Sequence, residues 1–220
     1  MQIVRTVREL RTILTGSKVN FIPTMGALHA GHIDLVNRSK LYPGNNKTVV
    51  SIFVNPTQFS PTEDLSKYPR TEQQDIEKLI KANVDVVFIP SHEEMYPKGQ
   101  SDITVVDPIW VREADEAVSR PTHFRGVCTV VTKLFNMVKP TRAFFGRKDA
   151  LQCIVVSKMN KDLNGTVEII TCPIYREPDG LAMSSRNVYL SPEERKIAPE
   201  LYKALTNGAL LYSSEVKTTG

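Results

Sequence analysis

Cysteine is scarce and unpatterned in this sequence: three in 220 residues, Cys128, Cys153 and Cys172, with no C-x-x-C spacing. That argues against a disulfide framework and a cysteine-built zinc site, and leaves three buried thiols as the expectation. No apolar run approaches the roughly 20 residues that a bilayer-spanning helix needs. The sequence opens (MQIVR) on mixed charged residues rather than an export signal. A reducing, cytoplasmic setting with no membrane partner is expected. Two phosphate loops are also missing, since there is neither G-x-x-x-x-G-K-[ST] nor any G-x-G among the 11 glycines. This argues against a P-loop kinase and a dinucleotide dehydrogenase. Basic residues never run beyond two or three in a row, and 28 Lys+Arg against 24 Asp+Glu give a net charge of +4. That balance suits small anionic ligands, and nucleic acid is not an expected partner.

What is present is ordinary globular composition, 41% hydrophobic and 24% charged, arranged as alternating strands and helices. Short apolar runs at residues 19–22 (VNFI), 48–54 (TVVSIFV), 84–89 (VDVVFI), 143–145 (AFF) and 167–170 (VEII) read as buried strands, with a weaker one at 103–107 (ITVVD). Helical spacing follows Gly31, spans residues 71–82 from a capping-box pattern at Thr71, and recurs at 124–138 and 152–159. A last helix starts at Ser191-Pro192 and runs to about Leu211. The alternation predicts an α/β fold with a doubly wound, mainly parallel sheet, whose ligand site lies beyond the carboxyl ends of the strands.

The loop between the first of these strands and its helix, Pro23-Thr24-Met25-Gly26-Ala27-Leu28-His29-Ala30-Gly31-His32, carries two of the chain's four histidines. Its glycines permit close approach of backbone N–H groups to an anion at the helix N-terminus. Two imidazoles three residues apart can donate to phosphate oxygens and, if protonated, offset charge on a departing pyrophosphate. Plain surface histidines, or a metal pair lacking an evident third ligand, are the competing readings, and no metal site is expected. Asn55-Pro56-Thr57-Gln58 ends the next strand with amides suited to a small polar substrate, although Asn-Pro is also turn chemistry. Gly146-Arg147-Lys148-Asp149, followed by Gln152, repeats the strand-to-helix context. Ser184-Ser185-Arg186 adds hydroxyls and a guanidinium beyond an Asp179-Gly180 turn. Together these loops describe a triphosphate site.

PTMGALHAGH, SIFVNPTQF, YPRT, HFRGVCTVVTKLFN, FFGRKDALQ and REPDGLAMSSRNVYLS, in this order over about residues 1–205, resemble the pantothenate synthetases (pantoate–β-alanine ligases). These are adenylyltransferases with an H-x-G-H signature. The resemblance implies a Rossmann-like domain over residues 1–175 that binds ATP and pantoate. Residues 176–220 would then begin a small C-terminal lid domain, truncated here. It implies that pantoate is adenylated by ATP and that β-alanine then displaces AMP, with magnesium (Mg2+) carried on the phosphates. It assigns ATP to Met25, Gly26, Ala27, Leu28, His29, Ala30, Gly31, His32, Gly146, Arg147, Lys148, Asp149, Tyr175, Met183, Ser184, Ser185 and Arg186. Gln58 would contact pantoate and β-alanine, and Gln152 pantoate. His32 would be the proton donor, His29 would help to stabilise the leaving pyrophosphate, and Lys148, the third catalytic residue, would neutralise phosphate charge. A homodimer is also implied. Another H-x-G-H nucleotidyltransferase, or a form that only binds, are the alternatives.

Overall fold

The computed structural model describes residues 1–44, 46–60, 63–99 and 103–216, with side chains to residue 213. Six parallel strands form one sheet: β1 (Gln2–Val4), β2 (Lys18–Thr24), β3 (Asn46–Ile52), β4 (Val86–Phe88), β5 (Arg142–Gly146) and β6 (Glu168–Cys172), in the order β1-β4-β3-β2-β5-β6. Nine helices are described: α1 (Val7–Leu14), α2 (Ala30–Ser39), α3 (Glu72–Lys81), α4 (His92–Met95), α5 (Asp115–Ser119), α6 (His123–Val138), α7 (Ala150–Asp162), α8 (Pro192–Ile197) and α9 (Glu200–Val216).

Neighbouring residues on each strand point to opposite faces, and both faces are covered. Phe21, Val49, Phe88 and Phe145 pack against α1, α6 and α7, whereas Ile22, Val50, Val87 and Phe144 pack against α2 and α3. This is why the strands read as continuous apolar runs. From β2 the chain moves to β3 and β4 on one side and later to β5 and β6 on the other. The order therefore reverses between β2 and β5, where a crevice opens beyond their carboxyl ends. The doubly wound, Rossmann-like architecture expected from the alternation is the one observed.

Several local expectations need correction. Residues 103–107 form no strand; β1 and β6 hold the sheet's edges, and Val106 instead donates its N–H to Thr129 Oγ1. Thr71 is the N-cap of α3 without a side-chain cap bond, because its hydroxyl is turned to Asp75. The last helix is broken at Pro199, which cannot donate within a helix, so α8 and α9 are separate. The start at Ser191 holds, as a capping box with Glu194.

Candidate active site

The β2–α2 loop turns through two left-handed residues, Gly26 (φ 82°) and Ala27 (φ 49°). Its amides were expected to face an anion, but those of Gly26, Ala27, Leu28, His29 and Gly31 are used internally. Gly26 N–H donates to Thr24 Oγ1 at 3.2 Å, Ala27 N–H to Asp75 Oδ2 at 2.9 Å and Leu28 N–H to Asp75 Oδ1 at 2.8 Å. His29 N–H donates to His32 Nδ1 at 3.2 Å, and Gly31 N–H to His29 Nδ1 at 3.1 Å. The imidazoles of His29 and His32 are the loop's side-chain donors to a ligand.

The two rings close the N-terminus of α2 reciprocally, His29 as N-cap and His32 as the third helical residue, with ring centroids 4.0 Å apart. A backbone N–H can only donate, so each Nδ1 must be an acceptor. That fixes each neutral ring with its proton on Nε2. Burial, helped by Lys148 and Lys78, pushes the His29 pKa down to about 4. Deeper burial, with His29, Lys148 and Lys78 acting in the same direction, pushes His32 to about 3. The free site at neutral pH thus offers two neutral Nε2–H donors rather than two imidazolium cations.

Beyond β3, Asn55 caps a one-turn 3₁₀ segment, Pro56–Gln58. Asn55 is buried and all its capacity is spent. Oδ1 accepts from Tyr96 Oη at 2.8 Å and Thr57 Oγ1 at 3.0 Å, while Nδ2 donates to Gln58 Oε1 at 3.0 Å and to the Gly126 carbonyl at 3.2 Å. For Asn55 the turn reading is the right one. Gln58 keeps its Nε2 near Met25 Sδ at 3.2 Å, and its backbone carbonyl accepts from His123 Nδ1 at 3.0 Å.

A single cleft gathers most of the predicted residues: Met25, His29, Gly31, His32, Gln58, Gly146, Lys148, Asp149, Gln152, Tyr175, Met183, Ser184, Ser185 and Arg186. Its apolar wall comes from Phe53, Val127, Val130, Val131 and Leu134. Gly26, Ala27, Leu28 and Ala30 do not line it; Leu28 is a core residue packed with Ile76 and Leu79 of α3. Arg147 is exposed and lines a separate shallow hollow with Cys153, Ser157 and Lys158. Lys148 Nζ pairs with Asp149 at 2.8 Å.

The segment after β6 reaches back over the β2–α2 loop. Ser185 Oγ donates to the Ala27 carbonyl at 3.0 Å. Arg186 makes a two-pronged contact with Asp64 (3.0 and 3.1 Å) above the Phe59 and Tyr68 rings. This pairing joins the segment after β6 to the loop that follows Phe59, of which residues 61–62 lie outside the described residues. Asp64, Asp75, Lys78, Tyr96 and Gly126 went unassigned at the level of sequence. Their contacts are to backbone atoms or residues distant in the chain, and only the Thr71-x-x-x-Asp75 spacing hinted at one of them. Among the described residues no three His, Cys, Asp or Glu converge as a metal site.

The family model for pantoate–β-alanine ligase matches residues 2–219. The chain is 55% identical over 210 residues to the pantothenate synthetase of Acetivibrio thermocellus, covering 93% of this chain and 73% of that one. It is 53% identical over 223 residues to that of Pseudothermotoga lettingae, covering 100% and 78%. The pantothenate synthetase of Thermus thermophilus superposes with a TM-score of 0.89 at 50% identity, over 94% of this chain and 74% of that one. A pantoate–β-alanine ligase of Francisella tularensis, complexed with β-γ ATP and β-alanine, superposes with a TM-score of 0.86 at 39% identity, over 94% and 79%. This chain is a member of the pantoate–β-alanine ligase family.

Proposed function

We propose that this chain joins pantoate to β-alanine at the expense of ATP. A pantoate carboxylate oxygen attacks the α-phosphorus and the bond to pyrophosphate breaks. The β-alanine nitrogen then attacks the acyl carbon of pantoyl adenylate, the bond to AMP breaks, and the amine releases its proton. No enzyme-bound covalent intermediate is needed, so the protein's contribution is positioning and charge stabilisation. The observation that carries the reading is the pair of neutral Nε2–H donors of His29 and His32 lining the crevice between β2 and β5, with Lys148 on its rim.

In this reading His29, His32 and Lys148 stabilise the triphosphate as charge moves to the leaving pyrophosphate, and Ser184, Ser185 and Arg186 hold the nucleotide from the opposite side. Gln58 and Gln152 orient pantoate, and Phe53, Val130 and Val131 exclude water from the acyl adenylate. Asp75, Asp64 and Asp149 already have protein partners. That donor set leaves magnesium to arrive on the nucleotide phosphates, where it would supply charge neutralisation. Residues 176–216 act as the lid. Exposed Ile109, Trp110, Val118 and Ile154 support a homodimer, which sedimentation tests. No helix among the described residues is long and apolar enough to cross a membrane, and a cytoplasmic site of action fits the substrates.

The test is His32→Gln, because glutamine at the third helical position retains the reciprocal cap while removing the imidazole. AMP and pyrophosphate formation from ATP, pantoate and β-alanine should fall by about 100-fold or more with the fold intact. Unchanged turnover would overturn the assignment. Omitting each substrate in turn separates this ligase from a nucleotidyltransferase acting on another acid, and from a form that binds without turnover.

A further inference from the structure

The geometry points to Asp75 as a positioning residue for adenylation, its buried carboxylate setting the backbone that aims His29 and His32. Asp75 lies in the first turn of α3 and is 1% exposed. Its two oxygens take two consecutive amides, Ala27 and Leu28, at 2.9 and 2.8 Å, and Oδ1 also accepts from Thr71 Oγ1 at 3.2 Å.

Every backbone polar group of residues 27 and 28 is thereby accounted for. Their N–H groups go to Asp75, the Ala27 carbonyl accepts from Ser185 Oγ at 3.0 Å, and the Leu28 carbonyl accepts from Lys78 Nζ at 2.6 Å. Neither backbone N–H of these two residues is left for a nucleotide phosphate. Their fixed conformation serves the next residue, whose N–H holds His32 and whose ring caps Gly31. Ala27 sits at φ 49°, a region a residue bearing a Cβ occupies only when its surroundings hold it there. Two amides converging on two oxygens demand a carboxylate. Asparagine would turn an NH2 donor onto one N–H donor, and glutamate would place its oxygens a bond too far. The chain of dependence runs from Asp75 to the 27–28 peptides, to His29, to His32.

The inference rests on the ligase reading, so the test carries one readout that does not. In the whole chain, pantoate-dependent ATP–pyrophosphate exchange, pantoate affinity, melting temperature and imidazole 15N shifts are measured for the parent, Asp75→Asn, Thr71→Val and Thr71→Ser. Asp75→Asn should lower the exchange rate by at least about tenfold, leave pantoate affinity within about twofold, and replace the single Nε2–H tautomer of both rings by a mixture. Thr71→Val should lower exchange by a few-fold, and Thr71→Ser should restore it. The inference falls if folded Asp75→Asn keeps parental exchange and imidazole shifts. It falls equally if the rate loss merely follows the unfolded fraction. A parent that shows no exchange with pantoate, while Asp75→Asn still shifts its imidazoles, would sink the ligase reading and leave the positioning role standing.

Discussion

Gly126 lies so close to Gln58 that a Cβ built on it would fall 2.6 Å from the Gln58 Cα and nitrogen, both backbone atoms that cannot swing aside. Helix α6 is thus in direct backbone contact with the turn that carries the substrate amide. Gly126→Ala should destabilise the protein by about 1–3 kcal/mol and raise the KM for pantoate more than that for ATP. Melting curves and initial rates check both.

Acidity should act through the imidazoles. His29 and His32 titrate near 4 and 3 in the fold, below the 6.5 of an unhindered ring, so the unfolded chain binds protons that the folded one refuses. Stability is unaffected by these rings above about pH 6.5 and falls as pH drops from there towards 4. His123, also held low by burial, adds in the same sense. Melting temperature against pH should slope less steeply in His32→Gln than in the parent across this window.

Asn55 is saturated, so the sign of each change is set by which bond is lost. Tyr96→Phe leaves Oδ1 the Thr57 hydroxyl and should cost about 0.5–1.5 kcal/mol. Asn55→Asp turns an acceptor onto Gln58 Oε1 and the Gly126 carbonyl. It should cost about 3 kcal/mol and release Gln58, raising the pantoate KM. Denaturant titration and pantoate kinetics read the two effects separately.

Lys148 contributes charge at little structural cost. Its partner is the adjacent Asp149 and both are well exposed, so the pair is worth about 0–1 kcal/mol. Lys148→Met should leave the melting temperature within a few degrees and lower pyrophosphate release by roughly 10–100-fold.

The thiols should be silent. Burial pushes Cys128 up to about 12 and raises Cys153 and Cys172, so little thiolate exists to react. Iodoacetamide at pH 8 should modify none of the three cysteines in the folded protein and all of them in denaturant, as counted by intact mass.

The sheet's interior was legible because β2 to β5 are doubly covered and announce themselves as apolar runs. β1 was not: Gln2–Val4 has one buried residue and acquires its meaning only from pairing with β4. The helix after it was missed despite a complete Thr6–Glu9 capping box. Residues 103–107 show the converse, a strand-like pattern in which Ile103 and Val106 pack on the core, Val105 stays exposed, and the Val106 N–H goes to Thr129 of α6 rather than to a strand. In the site, the contiguous loops after β2 and β5 could be read as motifs. Asp75 could not, since its partners are amides 47 and 48 positions away and its value lies in a buried charge that no local pattern reports.

The pairing of Gln2–Val4 with Val86–Phe88 also sets an order of assembly. At about 5–20 residues per second, the ribosome needs on the order of 4–16 s to make the intervening chain. For that interval the first strand has no neighbour to receive its amides. The centre of the sheet, β2 against β3, can close first, and the nascent chain carries its outer strand undocked until the fourth one emerges.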